Sequence, residues 1–230
     1  MTFHVITIFP EVFDSYLKES IIGRAIKNKK IKIRFYNPMD FCPPKERVDG
    51  RPYGGGPGMV LRPEPLLKTL EKVFSKLKVS AIGGSASGGK SGKLKVINFI
   101  PNARKFDTAY AKLHARKYTD LVLICGRYEG IDARISKIIK NWKLKIDNLS
   151  IGDYVLTGGE LPAMILIDSI SRQIPGVLGK YESLEEERVS SSEVYTRPER
   201  LVYKGKSYKV PKVLLSGHHK RINEWKKRAG

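Results

Sequence analysis

Short apolar runs of strand character alternate along the chain with segments of helical spacing, and this alternation limits the fold more than any other feature. The runs lie at Phe3–Phe9, Ile31–Tyr36, Leu94–Ile100 and Leu121–Cys125. Because strands that alternate with helices pair in parallel, this order predicts an α/β fold with a mainly parallel sheet. Ligands of such sheets bind outside the carboxyl ends of the strands.

Helical spacing or helix boundary signals mark the segments between and after these runs. The predicted helices are Glu11–Leu17, Ile22–Asn28, Pro63–Lys78, Thr108–Lys117, Ile131–Ile139 and Leu161–Arg172. Residues 37–63 contain too many prolines and glycines for a regular element. A loop of this length in a compact domain is usually functional or disordered.

The composition is that of a globular protein, with 41% hydrophobic and 29% charged residues in a chain of 230. No apolar run approaches the ~18–20 residues of a membrane span, and no secretory signal is visible, so we expect a cytoplasmic protein without membrane contact. The two cysteines, Cys42 and Cys125, lack partners at metal-ligand spacing. We therefore expect two reduced packing residues and no metal site.

Positive charge dominates the chain, with 43 Lys and Arg against 23 Asp and Glu. Residues 197–230 hold 11 Lys or Arg and 2 Asp or Glu, which is +9 of the net +20. No amphipathic helix suited to a membrane surface is evident there, so a nucleic-acid backbone is the expected partner. We predict a core domain at 1–176, a flexible acidic linker at 177–196 and a short basic module at 197–230, whose terminal helix is capped by Ser216.

One motif points elsewhere, because Gly84–Ser91 matches the phosphate-binding pattern G-x-x-x-x-G-K-[ST]. Such a loop has to open a helix whose N-terminus faces the phosphates, whereas residues 92–99 continue as a strand. A nucleoside-triphosphatase is therefore disfavoured, and a flexible loop is the better interpretation.

Three other loops combine glycine with aromatic and acidic residues: Arg51–Met59, Cys125–Asp132 and Ser150–Pro162. Any one of them is typical of a sharp turn. The second follows a strand directly and the third precedes a helix, and glycine in such places lets the backbone approach a ligand closely. Together the three loops favour one shared binding site.

Eight short motifs follow one another over nearly the whole chain: Ile8–Glu11, Gly23–Ala25, Val48–Met59, Cys125–Asp132, Ser150–Pro162, Ser171–Leu178, Tyr195–Pro198 and Leu214–His219. In these motifs and their order the chain resembles the bacterial tRNA (guanine-N1)-methyltransferase family. The resemblance implies a SPOUT-class α/β fold with a deep trefoil knot that binds S-adenosylmethionine, plus a small C-terminal helical module. It also implies a homodimer in which the linker and module of one subunit close over the other's cofactor.

The resemblance places the cofactor contacts in the strand end near Phe99–Pro101 and in the last two glycine loops. The implied cofactor-binding residues are Phe99, Pro101, Gly126, Tyr128, Glu129, Ile151, Gly152, Tyr154, Leu156, Gly158, Gly159 and Pro162. The chain departs from the family pattern at Ile100–Arg104, where the family tends to have Ser-Pro-Gln-Gly-Arg. A second departure is an early stop that leaves the C-terminal module abbreviated.

The implied reaction is methylation of N1 of guanosine 37, next to the anticodon of tRNA, which requires a base because neutral guanine has a proton on N1. Family members use a linker aspartate. Ungapped counting from Gly179 places Glu187 at its position, with Glu185, Glu186 and Glu193 as alternatives. A buried glutamate could serve if its pKa were raised toward the operating pH, whereas a solvated acidic linker would have no such role.

Arg172 matches the family arginine near the guanine and the cofactor, although a cation at a helix end is also stabilised by the helix dipole. The substrate-binding residues implied by the resemblance are Arg24, Asp49, Tyr53, Gly55, Arg197 and His218. A Mg²⁺ requirement stays open at this point. The competing hypothesis is a non-catalytic RNA-binding protein on the same fold.

Overall fold

The computed structural model describes residues 1–78, 93–179 and 193–228. The chain divides into two compact units, Met1–Leu178 and Gly179–Gly230. The predicted P-loop match and the centre of the predicted linker lie outside the described residues.

The first unit is a mixed α/β structure. Its strands are β1 (Thr2–Ile6), β2 (Lys32–Tyr36), β3 (Asp49–Gly50), β4 (Val60–Leu61), β5 (Leu94–Lys105), β6 (Asp120–Ile124) and β7 (Ile146–Ser150). Its helices are α1 (Asp14–Leu17), α2 (Ser20–Lys27), α3 (Pro63–Lys76), α4 (Thr108–Lys117), α5 (Arg134–Asn141) and α6 (Glu160–Ser171). Local sequence sets several boundaries: α3 begins at a proline, and Asp107 caps α4 by accepting from the Tyr110 amide at 2.6 Å.

The central sheet has the strand order β2-β1-β6-β5-β7, and every pair in it is parallel. This confirms the predicted α/β fold with a mainly parallel sheet. Neighbouring residues of a strand point to opposite faces of the sheet, and in β1 the residues on both faces are buried. Phe3 and Val5 of β1 belong to a core that includes residues of α6, whereas Ile6 belongs to a second core with residues of α3 and α5.

The structure corrects the sequence prediction at the edge of this sheet. Strand β7 was not predicted, since Asp147 and Asn148 interrupt its apolar pattern and it pairs only with β5 in the described sheet. Strand β5 is longer than predicted, and its pairing with β7 shifts register between Phe99 and Arg104.

Two predicted loop and helix assignments also change. The predicted helix Glu11–Leu17 is a 3₁₀ turn at Pro10–Phe13 followed by α1. The prediction that residues 37–63 lack regular elements is wrong, because this stretch holds a 3₁₀ turn at Pro38–Phe41 and the antiparallel pair β3 and β4. Both elements are short enough to tolerate the surrounding prolines and glycines.

The second unit contains an antiparallel hairpin of β8 (Arg200–Tyr203) and β9 (Lys206–Lys209), then α7 (Lys212–Leu215) and α8 (His219–Arg228). The hairpin and α7 were not predicted. Ser216 does not cap the terminal helix as expected: it ends α7, donating its hydroxyl to the Val213 carbonyl at 2.7 Å, and α8 begins three residues later. Among the described residues, no helix is long and apolar enough to cross a membrane.

Candidate active site

A cavity of about 220 Å³ lies at the carboxyl ends of β6 and β7, beside the irregular part of β5. Eleven of the twelve residues expected to bind the cofactor line it: Phe99, Pro101, Gly126, Tyr128, Glu129, Ile151, Tyr154, Leu156, Gly158, Gly159 and Pro162. Ile100, Gly130, Leu149, Ser150 and Val155 complete the lining. The structure thus brings the strand end and two of the glycine loops to one place.

Gly152 is the twelfth residue and does not line the cavity. A Cβ built on Gly152 would overlap the ring of Tyr154, which does line it. The turn is fixed by Ser150, whose hydroxyl donates to the Gly152 carbonyl at 2.9 Å. Gly152 therefore leaves room for the Tyr154 side chain.

The two glycine loops on this cavity are joined through their backbones. The Gly159 amide donates to the Gly126 carbonyl at 2.8 Å, and Arg127 forms an isolated antiparallel bridge with Gly158. A Cβ on Gly159 would lie 2.6 Å from the Cα of Cys125. Because that neighbour is backbone and cannot rotate away, the close approach requires glycine.

Glu160 is a buried carboxylate directly behind this junction. Its Oε1 accepts from the Thr7 hydroxyl at 2.7 Å, and its Oε2 lies 2.9 Å from Nε of Arg127 in an ion pair. The Arg127 guanidinium also lies over the Phe9 ring, 4.6 Å from its centroid. The pair therefore ties the end of β1, the Gly126 loop and the start of α6 together.

The sequence analysis selected neither Arg127 nor Glu160. A signal was present, since Glu160 is a charged residue that opens a largely apolar helix directly after two glycines. Next to this pair, burial raises the pKa of the Cys125 thiol well above its ordinary value. A neutral, buried thiol agrees with the expected packing role of Cys125.

The first glycine loop is attached to the second. The Glu129 amide donates to the Met59 carbonyl at 2.9 Å, and the Leu61 amide donates to the Gly130 carbonyl at 3.0 Å. A Cβ on Gly58 would overlap the Glu129 side chain. The three glycine loops are thus connected through the second, but no residue of the first loop lines the cavity.

Two of the expected substrate residues lie on the first loop, and a third lies just before it. Gly55 has a φ of +82°, which favours glycine, and Tyr53 is fully exposed. Asp49 is buried, and the Arg47 guanidinium donates to both of its oxygens at 2.9 and 2.8 Å. These hydrogen bonds lower the pKa of Asp49, so it is an ionised acceptor at neutral pH.

The remaining candidates are spread over the chain. Arg24 is exposed on α2, and Arg172 is partly buried directly after α6. Arg197 and His218 are exposed in the second unit. Glu185, Glu186 and Glu187 lie outside the described residues.

Glu193 is the one rival for the base that the structure describes. It is exposed and accepts from the Tyr195 hydroxyl at 2.9 Å. This hydrogen bond raises the pKa of Tyr195. The described residues contain no cluster of His, Cys, Asp or Glu able to hold a metal ion.

A second cavity, of about 790 Å³, lies beside α1 and α6 and shares Gly158 with the first. Its lining is mostly apolar and includes the exposed side chains of Val12, Tyr16, Leu161 and Ile165. The Tyr16 hydroxyl donates to Asp168 at the edge of this surface, which raises the pKa of Tyr16 to about 12.

Comparison with known proteins gives one consistent result. The family model described as tRNA (Guanine-1)-methyltransferase TrmD matches residues 1–230. The chain is 43% identical over 232 residues to the tRNA (guanine-N(1)-)-methyltransferase of Clostridioides difficile, covering 99% of this chain and 91% of the relative. The protein of the same name from Desulforamulus reducens is 41% identical, with 99% and 83% covered, and that from Vibrio vulnificus is 43% identical, with 96% and 82% covered.

Proposed function

The chain belongs to the tRNA (guanine-1)-methyltransferase TrmD family, and from this premise we propose that it methylates N1 of guanosine 37, next to the anticodon of tRNA, using S-adenosylmethionine. The observation that carries the proposal is the convergence of two glycine loops and the end of β5 on one cavity at the carboxyl end of a parallel sheet. Enzymes of this class act as tRNA methyltransferases, and the cavity supplies a place for the methyl donor.

The residues around the cavity suit S-adenosylmethionine, which supplies an electrophilic methyl group on a sulfonium when bound. Gly158 and Gly159 let the loops that line the cavity pack closely, since a Cβ on either would overlap the Arg127 and Glu160 side chains or the Cys125 backbone. Tyr128 and Tyr154 offer aromatic surface. Glu129 places a carboxylate at the lining that complements a positively charged ligand.

The proton on guanine N1 has to leave as the methyl group arrives, and we assign its removal to a linker carboxylate, Glu187 first. Arg172 follows α6, the helix that begins at the cavity, and its cation would orient the guanine. Asp49 is buried and its ionised carboxylate fixes the exposed Arg47 side chain, so its part in substrate binding would be to position that arginine.

Several finer features belong to the same proposal. The crossing of the loops at Gly126 and Gly159 supports a trefoil knot between the strand end and α6. The apolar surface of Val12, Leu161 and Ile165 supports a homodimer, because exposed apolar patches often mark interfaces. We propose a knotted domain at 1–176, a linker at 177–196 and a short helix-containing tRNA-binding module at 197–230. We also propose that the reaction takes place in the cytoplasm, together with its tRNA substrate.

The test is single-turnover methyl transfer with excess protein and a tRNA transcript that carries guanosine 37. We expect methyl incorporation at N1, read as a block to reverse transcription at that position, and none in a transcript with adenosine 37. A parallel reaction with EDTA shows whether Mg²⁺ is needed. Tight tRNA binding without any transfer at saturating cofactor would instead support the non-catalytic alternative.

A further inference from the structure

The β8–β9 hairpin has two chemically different faces. Its register pairs Leu201 with Tyr208 and Tyr203 with Lys206, and directly opposed residues of an antiparallel pair share a face. One face therefore consists of Leu201, Tyr203, Tyr208 and Lys206. We call it the tyrosine face.

The opposite face is mostly polar and basic, with Val202 as its one apolar residue. It holds the opposed pair Arg200 and Lys209 and the opposed pair Val202 and Ser207. The Arg200 guanidinium donates to the Ser207 hydroxyl at 2.8 Å, which fixes the arginine along the hairpin. The cations of this face are thus held apart from the tyrosine face.

The tyrosine face is exposed although it is largely apolar. Leu201, Tyr203 and Tyr208 are 56%, 59% and 53% exposed, and every residue of β8 and β9 is exposed. A hairpin of two strands is marginally stable in water without a further layer. An exposed aromatic face on such a hairpin therefore indicates a partner.

The charge around the hairpin favours RNA as that partner. Residues 197–230 have a net charge of +9, and Lys204 lies over the Tyr203 ring, 5.5 Å from its centroid. Aromatic rings beside cations are the combination that binds single-stranded nucleic acid, where bases stack and phosphates are neutralised. The alternative partner is a second protein whose surface is acidic and apolar and so complements this hairpin.

We propose that the tyrosine face stacks on unpaired bases of the tRNA substrate, while Arg200 and Lys209 on the opposite face contact phosphates. This inference rests on the proposed function, since it takes tRNA as the substrate. Net charge alone predicts that this module contacts only the RNA backbone, whereas the proposal adds contacts to the bases.

The test uses the full-length protein and measures tRNA affinity over a range of salt concentrations. We expect Tyr203→Ala and Tyr208→Ala each to weaken binding about tenfold without changing the salt slope, because stacking releases no counterions. Tyr→Phe at both positions should retain wild-type affinity. Val202→Ala, an equally exposed apolar residue on the opposite face, is the matched control and should bind as wild type.

Two further measurements distinguish phosphate contacts from base stacking, and binding to unpaired bases from binding to duplex RNA. Lys209→Ala should reduce the salt slope by about one. The tyrosine variants should lose affinity for the tRNA and retain affinity for a fully paired RNA duplex of similar length. Unchanged tRNA affinity in both Tyr→Ala variants would overturn the inference, as would equal losses for tRNA and duplex.

Packing of the tyrosine face against protein would give a different result. The Tyr→Ala variants would then lower the Tm or the oligomer mass while their tRNA affinity stayed at the wild-type value, and the inference would be wrong. Failure of the proposed function is distinguishable, because wild-type protein would then bind tRNA in a tyrosine-dependent manner without transferring a methyl group.

Discussion

The surfaces on which the two units are expected to bind their ligands are built in opposite ways. In the first unit, backbone groups and buried side chains shape the cavity, as the contact of Gly159 with Cys125 and the buried Glu160 illustrate. In the second, no residue of the described hairpin or helices is buried, and cations and tyrosines cover the surface. A small cofactor requires fixed geometry, whereas a long polyanion is held by charge spread over an exposed surface.

This difference determines where substitutions should matter. In the first unit, one added methyl group or one lost charge disturbs contacts that hold several loops together. In the second, each side chain acts largely on its own, so its loss should be small and additive. The predictions below test this contrast from the largest expected effect to the smallest.

The largest effect is expected in the predicted linker, at Glu187. Removing a general base typically lowers the rate about 100–10,000-fold, so Glu187→Gln should do so in single-turnover methylation at saturating cofactor and tRNA. The rate should recover partly as pH rises, since N1 then loses its proton more readily.

Glu185→Gln, Glu186→Gln and Glu193→Gln are the matched variants, and each should stay near the wild-type rate. Glu193 already accepts from Tyr195, and its exposure predicts a small effect. A normal rate in Glu187→Gln would transfer the role to whichever variant fails. Normal rates in all four would exclude each of these four glutamates as the base.

The next effect concerns the backbone junction in the first unit. In Gly159→Ala the new Cβ would lie 2.6 Å from the Cys125 Cα, so the loops have to separate. A displacement of about 1 Å at a binding site can cost about 100-fold, and we expect a loss of that size in S-adenosylmethionine affinity by calorimetry. Gly179→Ala, where nothing lies within 4 Å of the added Cβ, should bind normally. Wild-type affinity in Gly159→Ala would show that the junction does not shape the cofactor site.

How far the sequence alone predicts this molecule depends on the same contrast. The parallel sheet follows from apolar runs such as Leu121–Cys125, because a strand buried on both faces has to be apolar throughout. The glycine loops are recognisable because close backbone approach demands glycine. Strand β7 escapes this logic, since its polar residues are satisfied by partners that only the fold supplies, such as the ion pair between Asp147 and Lys95 at 2.5 Å.

The candidate site shows the same limit. Cavity residues such as Gly158 follow from motifs, but the Arg127–Glu160 pair depends on two segments 33 positions apart meeting beside Thr7. The hairpin of the second unit is equally invisible to pattern reasoning, because both its faces are exposed and neither requires an alternating apolar sequence. Long-range contacts and exposed strands are therefore what the sequence leaves undetermined.

A smaller effect is expected when the buried ion pair loses its charge. Glu160→Gln keeps a partner for the Thr7 hydroxyl but leaves Arg127 without a counter-charge. An unsatisfied buried group costs about 1–3 kcal/mol, so the Tm should fall by several degrees and cofactor affinity should fall less than in Gly159→Ala. Glu224→Gln, an exposed carboxylate on α8, should leave both quantities unchanged. Equal Tm values for the two variants would contradict the buried role of Glu160.

The smallest expected effect is on how the Tm changes with pH, and we expect it to come from the first unit and not from the second. His114 is buried on α4, stacked between Tyr110 at 3.6 Å and Tyr118 at 4.9 Å between ring centroids. Burial lowers its pKa, although the Tyr110 carbonyl and the Asp147 carboxylate oppose this shift. Lys95 and Lys117 add positive charge nearby and act in the same direction as burial.

A histidine whose pKa is lower in the folded protein than in the unfolded chain stabilises the fold while it is neutral. This contribution is fully present above the unfolded pKa of about 6.5 and is lost as pH falls from there through the folded value. The Tm should therefore decline between pH 7.5 and 5.5, and His114→Phe, which keeps an aromatic ring between the tyrosines, should reduce the decline by a few degrees or less. His219→Gln removes an exposed histidine of the second unit and should leave the decline unchanged. If His219→Gln flattened the curve instead and His114→Phe did not, the titrating group would belong to the exposed unit, and burial would not be the source of the pH dependence.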